Sequence, residues 1–121
     1  MANEITAVLS LNTRNGTLIH QFNPGVISVT QTTARVYDSV HIIGTSEETI
    51  SAFGDIAAPT IIILYNMDAT NYVQWGFATG VYGSRLFAAH VPNQFTYETG
   101  ASIFIKANTA ACNVRVIALE L

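Results

Sequence analysis

His20, His41 and His90 are the chain's three histidines, and Cys112 is its only cysteine. Zinc and related sites draw on ligands grouped a few residues apart, and these four are scattered. His20 and His41 lie in strand-like stretches, where an inward imidazole is expected to be a hydrogen-bonded structural group. Cys112 has no partner for an intrachain disulfide and, beside alanines, nothing to lower its thiol pKa. It reads as a small buried residue. Asn66, Asp68 and Asn71 offer oxygens to a cation, but a calcium loop needs more carboxylates than this corner has, so capping of backbone N–H groups is expected there. Glu47 and Glu48 are adjacent and would point to opposite faces of a strand, which disfavours a glycosidase pair. No serine stands in a nucleophile elbow, and Gly80 and Gly83 lack the strand-loop-helix setting and GK[ST] ending of a phosphate loop. No catalytic constellation, metal site or cofactor site emerges. A non-enzyme is expected.

Trp75, Phe77, Tyr82, Phe87, Phe95, Tyr97 and Phe104 crowd the second half of the chain. Most are expected in a core, and any left exposed would serve best as anchors for another protein. Trp75 and Tyr82 lining one shallow groove would instead suit a carbohydrate-binding module.

The composition points the same way. Charged residues make up 11% of the 121 residues, against about 25% in an ordinary soluble domain, while 50% are apolar. A surface so poor in charge suits a chain covered by other subunits. The net charge of −3, with Lys106 and the arginines Arg14, Arg35, Arg85 and Arg115 spread out, provides no basic stripe for nucleic acid. The N-terminus has no basic leader and no run approaches the length of a membrane span, so synthesis in the cytoplasm and no membrane partner are expected.

The elements that would position these residues are short. A 121-residue chain suggests one domain over residues 1–121. Thr60 to Gly80 reads as its centre: Ile61 to Leu64 as a mid-sheet strand buried on both faces, a polar corner, then Tyr72 to Phe77 with Val73, Trp75 and Phe77 on one face. Ile5 to Leu11 and Thr17 to Phe22 alternate as a hairpin around the turn formers Asn12 to Gly16, and Asn23-Pro24-Gly25 makes a second turn before a strand at Val26 to Gln31. In Arg35 to Ile43, Val36, Asp38, Val40 and Ile42 share the face expected to be core. Thr45 to Glu48 spells a capping box, yet the β-branched Thr49 and Ile50 favour a short edge strand. Further strands are expected at Arg85 to Ala89, Phe95 to Glu98, Ser102 to Lys106 and Asn113 to Leu119. Many short strands with regular turn signals and no long helix predict an all-β, antiparallel β-sandwich of jelly-roll type.

Three groups of residues carry a resemblance. Gly54-Asp55-Ile56-Ala57-Ala58-Pro59, the run Leu64-Tyr65-Asn66-Met67-Asp68-Ala69-Thr70-Asn71-Tyr72-Val73-Gln74-Trp75-Gly76 with Arg85-Leu86, and Lys106 to Val114 resemble small virion structural proteins of tailed bacteriophages. The likeness covers residues 44–121 and is most specific over Asn66 to Gly76, while the first 40 residues share only the strand pattern. Ala89-His90-Val91 and Phe95-Thr96-Tyr97 stand where such proteins carry a glycine-glutamate turn and a second arginine-leucine pair. The resemblance implies a capsid decoration, or cement, protein on the virion surface. It would bind the major capsid protein and itself, as a trimer, with a head-tail, tail or head-fibre component as the rival. The loops Asn12 to Gly16, Asn23 to Gly25 and Ala78 to Ser84 are the expected contacts, with Asn12, Arg14, Asn15, Asn23, Pro24, Val81, Tyr82 and Arg85 as interface candidates.

Overall fold

A computed structural model describes residues 5–8, 11–15, 17–23, 25–29, 35–88, 92–98 and 100–120. Every regular element among them is a β-strand, and every strand pairing is antiparallel. The residues fall into two compact units, one of residues 1–34 with 121 and the other Arg35–Glu120.

The smaller unit holds two ribbons. Strand β1 (Ile5–Val8) pairs with β4 (Val26–Val29), and β2 (Leu11–Asn15) pairs with β3 (Leu18–Phe22), Asn15 standing opposite Leu18. Residues Asn12 to Asn15 are therefore strand rather than turn. The alternation from Leu11 outcompetes the turn preference of the asparagines once a partner strand supplies ladder hydrogen bonds. At the next turn Asn23 Oδ1 accepts the Gly25 N–H at 2.9 Å, and Gly25 takes a φ of 89° that suits glycine. Pro24 lies outside the described residues.

The larger unit is a β-sandwich of eight strands: β5 (Val36–Ile43), β6 (Glu48–Ile50), β7 (Ile61–Asn66), β8 (Val73–Gly76), β9 (Ser84–Leu86), β10 (Asn93–Thr96), β11 (Ile103–Ala107) and β12 (Cys112–Leu119). One sheet has the order β10-β7-β12-β5 and the other β6-β11-β8-β9. The first strand of this unit pairs with the last, the second with the seventh, the third with the sixth and the fourth with the fifth. That nesting is one long antiparallel ribbon, folded at the β8–β9 turn and wound into two layers. It is a jelly roll.

Period-two patterning builds its core. Along β12, Cys112, Val114, Val116 and Ala118 are buried, while Asn113 and Arg115 face outward. Ile103, Ile105 and Ala107 face them from β11, with Ile62 and Leu64 of β7 and Val73 of β8 completing the layer. Full burial of each such aliphatic side chain contributes about 1.5–3 kcal/mol. Aromatic rings close one part of the interior. Trp75 stacks on Phe95 at 4.6 Å, and Phe53 meets Tyr97 edge-on at 5.5 Å.

Three expectations need correction. Strands β7 and β8 do not form a two-stranded centre; each is the inner strand of a different sheet. The corner between them carries the chain from one layer to the other, a step that strand patterning does not reveal. The run Ile61 to Leu64 is fully buried only at Ile62 and Leu64, with Ile61 and Ile63 half-buried, because a sandwich covers one face of each sheet. The face of β5 is also reversed. Val36, Val40 and Ile42 are 63%, 50% and 71% exposed, and the inward side chains are Tyr37, Ser39, His41 and Ile43. Asp38 explains the choice: its carboxylate would be costly to bury, and alternation takes Val36, Val40 and Ile42 outward with it. Arg115 on β12 donates to both Asp38 carboxylate oxygens, at 2.8 and 2.5 Å. On the inner face Tyr37 and His41 join their polar atoms at 2.8 Å, as expected of a structural histidine.

Candidate interaction site

In the turn at which the ribbon folds, residues 77–83, Val81 and Tyr82 lie over Gly76 on the outer face of the β6-β11-β8-β9 sheet. Gly76 is the reason they can. Its neighbour across the ladder is Phe104, one of the outward side chains of β11, and a Cβ on Gly76 would stand 2.1 Å from the carbonyl oxygen of Val81. Only glycine admits so close an approach of backbone to sheet. An Ala78–Val81 bridge, with the Val81 N–H donating to Ala78 O at 3.1 Å, tightens the turn. Gly80 supplies its left-handed residue at φ 72°.

Glu47 holds the far side of this loop. Its Oε2 accepts the Gly80 N–H at 2.8 Å and the Tyr82 hydroxyl in a short contact, and Lys106 Nζ stands 5.0 Å from the centre of the Tyr82 ring. The Tyr82 hydrogen bond first, and then the Gly80 amide, holds the Glu47 carboxyl below the usual carboxylate range. The same bond pushes the Tyr82 phenol up. Sequence reading found the loop but not its clasp. Glu47 and Tyr82 are 35 residues apart, and only the winding of the ribbon brings them together.

The loop and the strand ends that bear it bound an apolar hollow of about 440 Å³, lined by Trp75, Phe77, Ala78, Val81 and Ser84 with two glycines. Phe77 and Val81 are 54% and 62% exposed at its margin. Phe77 keeps the side of Trp75, its ring edge-on to Trp75 at 5.4 Å and to Phe95 at 5.9 Å, and is half exposed at the rim. Trp75 is buried and stacked on Phe95, which removes the best stacking residue of a carbohydrate site.

Arg85 lies on the same outer face. It pairs across the ladder with Gln74, which pairs in turn with Lys106, and its guanidinium lies 3.9 Å from the centre of the Tyr72 ring. The fold thus brings three of the sequence candidates, Val81, Tyr82 and Arg85, to one face of one sheet. Asn12, Arg14 and Asn15 lie on β2 and Asn23 in the turn before β4, all in the smaller unit.

At the corner after β7, Asn66 and Asp68 cap backbone as expected, whereas Asn71 Oδ1 accepts the Thr109 hydroxyl at 2.7 Å. Asn66, fully buried, accepts the Asp68 N–H at 3.0 Å and donates to Asn71 O at 2.8 Å and Leu86 O at 3.3 Å. Asp68 Oδ1 accepts from Thr70 and Asn71 at 2.7 and 2.6 Å, and these bonds hold its carboxyl low. Burial pushes the Cys112 thiol up, so it is a protonated packing group. His20 is on β3 and His90 lies outside the described residues. Among the described residues no cluster of three histidine, cysteine or carboxylate side chains converges as metal ligands would.

No family of known proteins, no curated protein and no solved structure matches the chain.

Proposed function

We propose that this protein is a capsid decoration protein of a tailed bacteriophage, made in the host cytoplasm and bound on the virion surface to the major capsid protein as a symmetric oligomer, a trimer. The observation that carries this reading is the surface of the larger unit. Six large apolar side chains, Val36, Val40, Ile42, Phe77, Val81 and Phe87, are at least half exposed in a chain with only 11% charged residues. Solvent is a poor neighbour for such a surface, and another protein is a good one.

The resemblance of residues 44–121 to small phage virion proteins supplies the direction, and a jelly roll is a scaffold suited to shell and lattice contacts. The β8–β9 loop is the contact element in this reading, with Val81 and Phe77 as apolar anchors and the Glu47 clasp fixing their positions. Each contact is modest, at about 25 cal/mol per Å² of apolar surface covered, and a trimer multiplies it through effective concentration.

Quantitative mass spectrometry of purified virions tests the reading. A decoration protein is present in copies comparable to the major capsid protein. Copies limited to the few of a single vertex or fibre would instead make it a head-tail, tail or head-fibre component.

A further inference from the structure

The jelly roll has four edges, and three of them are guarded. Strands β6 and β9 have three residues each and carry Glu48 and Arg85, and β10 has four residues with the polar Gln94 and Thr96 outward. Short, polar or charged edges are how sheets avoid pairing with strangers. Strand β5 is the least guarded of the four. It runs eight residues, about 27 Å at 3.4 Å per residue, with no proline and no lysine, and in unbroken register with β12. Its one charge, Asp38, is already joined to Arg115. Its outward side chains Val36, Val40 and Ile42 are the most exposed aliphatic row of the molecule's larger unit. Among the described residues β12 is its one strand partner, and an edge strand leaves every second backbone N–H and C=O directed away from its neighbour.

We infer that β5 is an interface strand that pairs antiparallel with β5 of a second copy of this chain, across a two-fold axis through Ser39. Self-pairing is favoured by the sequence of the strand itself. With Ser39 opposite Ser39, Val36 of one copy stands opposite Ile42 of the other at both ends, and side chains directly opposite in an antiparallel pair share a face. Both apolar pairs then lie on the outer face, flanking two Val40–Asp38 pairs, and Tyr37 stands opposite His41 on the inner one. A two-fold axis uses the same patch twice, which is the condition for a closed contact. Two four-stranded sheets become one of eight. The pairing does not depend on the decoration reading, and in an assembly of trimers it would join one trimer to the next, so that the particle holds an even number of chains.

Sedimentation velocity of the full chain over a concentration series tests this with two double variants at exposed positions. The wild-type chain is expected to form particles with an even number of chains. Val36→Lys/Ile42→Lys places lysine opposite lysine at both ends and should weaken the association about tenfold or more, whereas Val36→Lys/Ile42→Glu places opposite charges together and should restore it to within about threefold of wild type. Ser39→Cys in an otherwise wild-type chain gives an independent readout. Opposed Cα atoms about 4.5–5.5 Å apart permit a disulfide, so mild oxidation should yield a covalent dimer while buried Cys112 stays reduced. A wild-type chain that remains monomeric or has an odd number of chains, equal behaviour of the two double variants, or no cross-link in the Ser39→Cys chain would overturn the inference.

Discussion

Gly76 has no room for a side chain, and the consequence reaches the whole β8–β9 loop. In Gly76→Ala the new Cβ would meet the Val81 carbonyl oxygen, and neither the sheet nor a loop already bridged at Ala78–Val81 can yield cheaply. Urea unfolding should show a loss of about 1–3 kcal/mol, the usual cost of overpacking. A neutral result would mean that the loop does not rest on the sheet. Glu47 makes the complementary prediction. Because its folded pKa lies below its ordinary value of 4.5, its contribution is fully present above that value and is lost as pH falls through the depressed one. The protection of the Gly80 amide, the slowing of its exchange relative to that of an unstructured amide at the same pH, should therefore be high and steady near neutrality and fall on acidification below the ordinary carboxylate value. Glu47→Gln should show lower protection at neutral pH and lose that acid-dependent fall. An unchanged profile in the variant would remove Glu47 from the clasp. Residue types alone announced the Asn66, Asp68 and Asn71 corner, because its acceptors and donors are a few positions apart. They could not announce Glu47, whose partners lie a full ribbon length away.

Strands were legible wherever alternation was clean. β12 has its small and β-branched residues inward as its pattern requires, and the short edge strand at Glu48–Ile50 forms in place of the helix that a capping box would start. β5 shows the limit. Alternation sorts its residues into two sets without saying which set faces the core, and the set with more aliphatic residues lies outside because it contains Asp38. Two substitutions measure this directly at dilute protein concentration. Ile43→Ala should cost about 2–5 kcal/mol as a buried truncation, and Val40→Thr should stay within about 0.5 kcal/mol because its side chain is half in solvent. Equal costs would mean that the outward face of β5 is covered within the chain.

At the scale of the molecule, the all-β sandwich follows from many short strands and frequent turns, while the order of strands does not. Which strand neighbours which depends on the nesting of the ribbon, and its longest-range pair joins Val36 to Leu119. No local pattern encodes that closure. The same distance separates composition from function: a charge-poor surface with exposed Val36, Ile42, Phe77 and Val81 is the observation behind the proposal of protein partners and names none of them. Cryo-electron microscopy of phage particles assembled with this chain tests the decoration reading most directly. The account predicts jelly-roll density repeated over the outer capsid at the three-fold positions, with the β8–β9 loop against the major capsid protein. Density confined to the portal vertex, the tail or isolated fibres would contradict it.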